Sequence, residues 1–96
     1  GEGLTKTTRG QKSVSDIYKT VYSKVIFQAI RDLVGSQPQE KQDAVKYLQS
    51  PAFLSHCEIA GFPSGLQDAL DEMLLLSRTE QKVVARMVME ELTSCA

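Results

Sequence analysis

The run Ser50-Pro51-Ala52-Phe53-Leu54-Ser55-His56-Cys57-Glu58-Ile59-Ala60-Gly61-Phe62-Pro63-Ser64 sets the fold class of this chain. Both ends of a short helix are written in it. Ser50 stands where an N-cap hydroxyl accepts from backbone N–H groups that lack an intrahelical partner. Pro51 suits the first helical position, which needs no N–H. Gly61 suits the residue beyond the last turn, where a left-handed backbone costs glycine little. Pro63 disfavours a helical backbone at Phe62, so Phe62-Pro63-Ser64 makes a tight connection into a further helix. The spacing predicts Phe53, Leu54, Cys57 and Ala60 on the inner face, a left-handed Gly61, and Phe62 folded back onto the core. Helix, glycine turn, helix is a geometry shared by some DNA readers and many plain helical domains.

Upstream, Ile17, Tyr18, Val21, Tyr22, Val25, Ile26, Ala29, Ile30, Leu33 and Val34 recur at helical spacing for about five turns. Ser13 with Asp16, or Ser15 alone, can cap the start, and Gly35 closes the end. Each β-branched residue lowers intrinsic helicity by roughly a few tenths of a kcal/mol. Tertiary burial must therefore hold this helix, which is expected to be the strut that crosses the domain. Lys24, Gln28 and Arg31 occupy its opposite stripe. Ser36-Gln37-Pro38 opens a second helix with Ala44, Val45, Tyr47 and Leu48 as its buried stripe and Gln39 to Asp43 facing water.

Downstream, a fourth helix is expected from Ser64 to Leu76, with Leu66, Ala69, Leu70, Met73 and Leu74 inward. Ser77-Arg78-Thr79-Glu80 fits a capping box, in which Ser77 bonds forward and Glu80 bonds back. It implies a break after Leu76 and a fifth helix from about Arg78 to Leu92, carrying Val83, Val84, Met87, Val88 and Leu92. No strand pattern survives. The expected architecture is all-α: a compact bundle of five helices around a long first helix, with a helix-turn-helix-like segment at 51–76.

At 96 residues the chain is one domain. Residues 1–12 hold only Leu4 as a large apolar side chain and are expected to form a flexible arm, leaving 13–96 as the helical domain. No apolar run approaches the ~18–20 residues that span a bilayer, and the polar opening residues carry no secretory signal. Cys57 and Cys95 are too few for a disulfide framework and fit a reducing compartment, so a cytoplasmic location is expected. Net charge is −1, which opposes a generally nucleic-acid-loving surface. Its distribution is uneven: residues 1–46 balance to +3 and residues 47–77 to −4.

Chemistry-bearing residues are sparse. His56 is the lone histidine, and its neighbour Cys57 points about 100° away on a helix, which is poor geometry for a nucleophile pair. A structural or solvent-facing His56 is expected. Asp68, Asp71 and Glu72 share a helix face that could hold a divalent ion, but a solvated acidic face has the same letters. No CxxC, HxxxH or HExxH spacing and no phosphate-cradling glycine loop occurs. As a recognition helix, residues 64–73 would present Ser64, Gln67, Asp68, Asp71 and Glu72 to a polyanion, which electrostatics oppose.

Ala29-Ile30-Arg31-Asp32-Leu33, then Ala44, Tyr47-Leu48, Ser50, Phe53, Cys57 and Ala60-Gly61, resemble a pattern in small proteins encoded by phages and prophages. In those proteins an aromatic-Leu-x-Ser-x-x-Phe-x-x-x-Cys-x-x-Ala-Gly run follows an aliphatic helix. The resemblance spans residues 25–62 and departs after Gly61, where Phe62-Pro63 is shorter and the next helix lacks arginine. It implies a helix-turn-helix-like arrangement and a phage or mobile-element origin. Most such proteins have no assigned function.

Two readings follow from different classes. The first is a non-enzymatic module acting through protein contacts or self-association, a homodimer included, as a phage or prophage accessory protein. Its candidate interface is Val84, Met87, Val88, Met89 and Leu92, because with Val83 they cover more of the fifth helix than one intramolecular contact uses, and Met suits adaptable interfaces. The alternative is a DNA-binding regulator using Lys6, Arg9, Lys12, Lys24 and Arg31. Neither requires a cofactor, a metal, a small-molecule ligand or a membrane.

Overall fold

A computed structural model of the chain describes residues 14–95, and the side chains of 14–94. Within them the order is α1 (Val14–Leu33), α2 (Pro38–Leu48), α3 (Pro51–Ala60), α4 (Leu66–Met73) and α5 (Arg78–Cys95), with no strand. The all-α, five-helix expectation holds. Lys6, Arg9, Lys12 and the expected arm at 1–12 lie outside the described residues, as does Ser13.

The helix ends follow from local chemistry. Gly61 takes φ 78°, ψ 24°, the one positive φ among the described residues. Phe62 N donates to Cys57 O at 2.9 Å and Gly61 N to Glu58 O at 3.1 Å. These paired bonds satisfy carbonyls that the end of α3 would otherwise leave open. Pro38 and Pro51 each occupy the first turn of their helices. The box ahead of α5 forms in both directions: Ser77 N donates to Glu80 Oε1 at 3.2 Å, and Glu80 N to Ser77 Oγ at 3.3 Å. One cap differs from expectation. Ser50 has extended cap geometry without a side-chain cap bond, because its hydroxyl donates backwards to Tyr47 O at 2.7 Å and closes the preceding turn.

The core is continuous through all five helices. Ile26, Ile30 and Leu33 of α1 meet Ala44 and Leu48 of α2 and Phe53, Cys57 and Ala60 of α3, all buried. Phe62 folds back as expected, its ring centroid 5.7 Å from that of Phe27. Leu66, Leu70 and Met73 bring in α4, and Ala85 and Leu92 bring in α5. α1 packs chiefly on α3 and α2, with α5 against both α1 and α4.

Two inward expectations are corrected: Leu54 and Ala69 face outward. α4 runs only from Leu66 to Met73 rather than Ser64 to Leu76, and this short rod buries the narrow stripe of Leu66, Leu70 and Met73. In α5 the inward direction passes through Gln81, Ala85 and Leu92, so Val83 and Met87 fall on the reverse side at 100° per residue. Gln81 is buried because its amide nitrogen is needed there: Nε2 donates to Leu74 O at 3.2 Å and Leu76 O at 3.0 Å, tying down the α4–α5 connection.

Candidate functional site on the outer face of α1

α1 is twenty residues long, about 30 Å at ~1.5 Å per residue. α2 returns along it after a short turn but has only eleven residues, so it flanks the second half alone. α3 approaches from the inner side and ends at Gly61, where an added Cβ would lie 3.5 Å from Lys19 Cε. The outer face of the first half is left uncovered by any described element. Val14, Ile17, Tyr18, Val21 and Val25 stand there 66%, 50%, 54%, 47% and 39% exposed. Their i, i+3, i+4, i+7 spacing makes one continuous apolar stripe.

The stripe runs into a groove of about 460 Å³ between α1 and α2. Val25 belongs to both. Ala29, Ala44 and Tyr47 give the groove its apolar floor, while Lys24 and Gln28 border one side and Asp32 and Asp43 the end nearest the α1–α2 turn. Both carboxylates accept from a glutamine on their own helix: Asp32 from Gln28 Nε2 at 3.0 Å, Asp43 from Gln39 Nε2 at 3.1 Å. The walls are held rigid from behind. Tyr47 Oη and His56 Nδ1 share a 2.6 Å hydrogen bond. Tyr22 stacks on the His56 ring at 4.4 Å and 28°, and Tyr47 meets Phe53 edge-on at 5.4 Å. One side chain each from α1 and α2 is thereby locked to α3.

Burial acts on the two acids nearby. It pushes the Tyr47 hydroxyl up to about 12, with the nearby Cys57 and Tyr22 adding smaller effects in the same direction. It also pushes the buried Cys57 thiol up to about 11. A thiol held that high carries almost no thiolate near neutrality, the opposite of an activated nucleophile. His56, for its part, spends Nδ1 on Tyr47.

The other sequence-based candidates are dispersed. Of the proposed α5 interface, Leu92 is in the core, Val84, Val88 and Met89 are half-buried against it, and Met87 alone is exposed, at 59%. With Val83 it makes a two-residue patch beside Glu90 and Glu91. Lys24 and Arg31 are exposed, seven residues apart on one flank of α1. On α4, Asp68, Asp71 and Glu72 face solvent, whereas Gln67 turns back to donate to Leu48 O at 2.8 Å. Among the described residues no three His, Cys, Asp or Glu side chains are grouped to hold a metal, and no helix is long and apolar enough to cross a membrane.

The α1 stripe is the surface that sequence reasoning missed. The signal was present: its apolar positions spread over two directions of the helix, the same excess that drew attention to α5. In comparisons with known proteins, no family model matches this chain, and no curated protein or solved structure does either.

Proposed function

We propose that this chain is a non-catalytic helical interaction module, whose outer α1 face docks an apolar surface of a protein partner. The supporting observation is the stripe from Val14 to Val25, five large exposed side chains in one continuous line along a single helix face, whereas the other exposed apolar residues, such as Leu54, Leu75 and Met87, are scattered over α3 to α5. The largest contiguous apolar patch on a typical monomer is about 300–600 Å² and is often functional. The adjoining groove extends the stripe with a floor that the Tyr47–His56–Tyr22 cluster keeps from collapsing. An accessory role in a phage or prophage is the setting that the residue pattern at 25–62 favours. A non-catalytic role is consistent with the suppressed Cys57 thiolate and the committed His56 nitrogen.

The test is site-specific photocrosslinking in cells, with a photoreactive residue in place of Tyr18 and, as control, in place of exposed Gln42 on α2. A protein adduct at Tyr18 and none at Gln42 is expected. Equal or absent adducts at the two positions would remove α1 as the docking face.

A further inference from the structure

We infer that the cleft between α3 and α4 is a binding site for a primary ammonium group carried on a short apolar body. The cleft shares no residue with the α1 stripe or with the groove beside it, so it stands or falls separately from the docking role.

The cleft follows from the connection between the helices. Pro63 disfavours a helical backbone at Phe62, and α4 begins only at Leu66, so Phe62 to Gly65 cross from one helix to the next as an open turn. The space beside them is about 290 Å³, room for about ten water-sized groups at ~30 Å³ each. Buried Cys57 and Phe62 form its apolar wall, and exposed Leu54 extends that wall towards the surface.

The polar lining selects the charge of the ligand. Ser55, Glu58, Ser64 and Gln67 supply it, and no lysine or arginine does. Gln67 donates through Nε2 to Leu48 O at 2.8 Å, which fixes its amide and leaves Oε1 as the acceptor. With the Glu58 carboxylate and the two hydroxyl oxygens, the lining is rich in acceptors. An ammonium group carries three donors and no acceptor, the complement of such a lining. An anion would meet Glu58 with no cation to offset it.

The wider field has the same sign. Both helices belong to the stretch 47–77, which balances to −4 and holds no lysine or arginine. Cys57 and Glu58 come from the last turn of α3, the negative end of its dipole, which has no basic residue of its own. Lys19 Nζ would lie 3.7 Å from a Cβ on Gly61, but Lys19 does not line the cleft. The positive end of α4 is offset by Asp68 in its first turn.

Titration of the isotope-labelled full chain with phenethylamine, followed by amide chemical shifts, tests this. Saturable shifts centred on residues 54–67 are expected, with a Kd of roughly 1–10 mM for so small a ligand. Phenethyl alcohol, the same body without the charge, should bind several-fold more weakly, and hydrocinnamate, its anionic counterpart, should not bind. Glu58→Gln should weaken phenethylamine binding about two- to fivefold, whereas Asp43→Asn on α2 should leave it unchanged. Both side chains are exposed, so the melts of both variants should match the parent. Nα-acetyl-lysine methylamide forms a second arm, because a protein partner's lysine carries the same ammonium. Tighter binding than phenethylamine supports the site with a lysine as its ligand, and weaker binding supports it with a free amine. Absence of saturable shifts, shifts centred elsewhere, equal binding of hydrocinnamate, or Glu58→Gln without effect each overturns the inference.

Discussion

The two halves of α1 have similar letters and opposite fates. Ile26, Ile30 and Leu33 are at most 1% exposed, whereas Val14, Ile17, Tyr18 and Val21 keep about half or more of their surface in water. Hydrophobicity does not separate them. What separates them is the reach of their neighbours: α2 is too short to flank the first half, and α3 approaches it only from the inner side. Burying one such side chain contributes ~1.5–3 kcal/mol, a gain that no described element gives the outer face of the first half. Helical periodicity therefore reports that a face is apolar, not that the same molecule covers it.

The sharpest way to break this contrast is a matched pair of truncations. Ile30→Ala should cost ~2–5 kcal/mol, the range for a large aliphatic removed from a packed core. Ile17→Ala should stay within ~0.5 kcal/mol, as for an exposed side chain. Urea denaturation of both variants decides it. Comparable losses would mean that the first half is packed within the monomer.

Alkaline titration probes the packed half by a different route. Tyr47 and Cys57 have folded-state values of about 12 and about 11, against 10.0 and 9.0 for the free groups. Folding thus favours their protonated forms. Their contribution is complete below about pH 9 and is lost as pH rises through the folded values, because the unfolded chain releases these protons first. The slope for each group is at most ~1.4 kcal/mol per pH unit, and smaller for half-buried Tyr47, where solvent screens the effect. Denaturation midpoints should be flat from pH 7 to 8.5 and fall between pH 9 and 12, less steeply in Tyr47→Phe and Cys57→Ala. A parent profile as shallow as that of the double variant would mean these groups are open to water.

Gly61 sharpens the boundary between the halves, since its turn lays Phe62 against Phe27. A Cβ there would touch only Lys19 Cε at 3.5 Å and Nζ at 3.7 Å, an ordinary contact, so the cost lies in φ. Gly61→Val should lose ~1–2 kcal/mol or slightly more, about 5–10 °C in Tm, and Gly61→Asn less than half of that, since asparagine tolerates this region. The smallest effect is expected at Gly65, where a Cβ meets nothing within 4 Å and φ is −83°. Gly65→Ala should be neutral or raise Tm by a degree or two. Equal melting of the Gly61 and Gly65 variants would show that the turn does not position Phe62.

Much of the scaffold was legible because its signals are local. Pro38 and Pro51 open helices, Gly61 ends one, and Ser77 with Glu80 closes a reciprocal cap, all through groups a few residues apart. Such bonds depend on backbone geometry that neighbouring letters already dictate. Ser50 marks the limit even there: its hydroxyl had two backbone partners in reach, and the carbonyl of Tyr47 won over the N–H groups of α3.

What only tertiary structure decided is which apolar faces find cover. Ala85 and the polar Gln81 hold the inner line of α5 while Val83 and Met87 face water, because close approach and two open carbonyls select small and hydrogen-bonding residues over larger ones. His56 became a clamp rather than a surface residue when α1 and α2 brought Tyr22 and Tyr47 to it. The stripe on α1 stayed open because α2 stops after eleven residues and nothing described lies beyond. Most helix ends here rest on contacts within a turn or two and so show in the sequence, whereas the short span of α4 does not. Burial depends on the lengths and directions of elements far apart in the chain, and those are settled only when the helices pack.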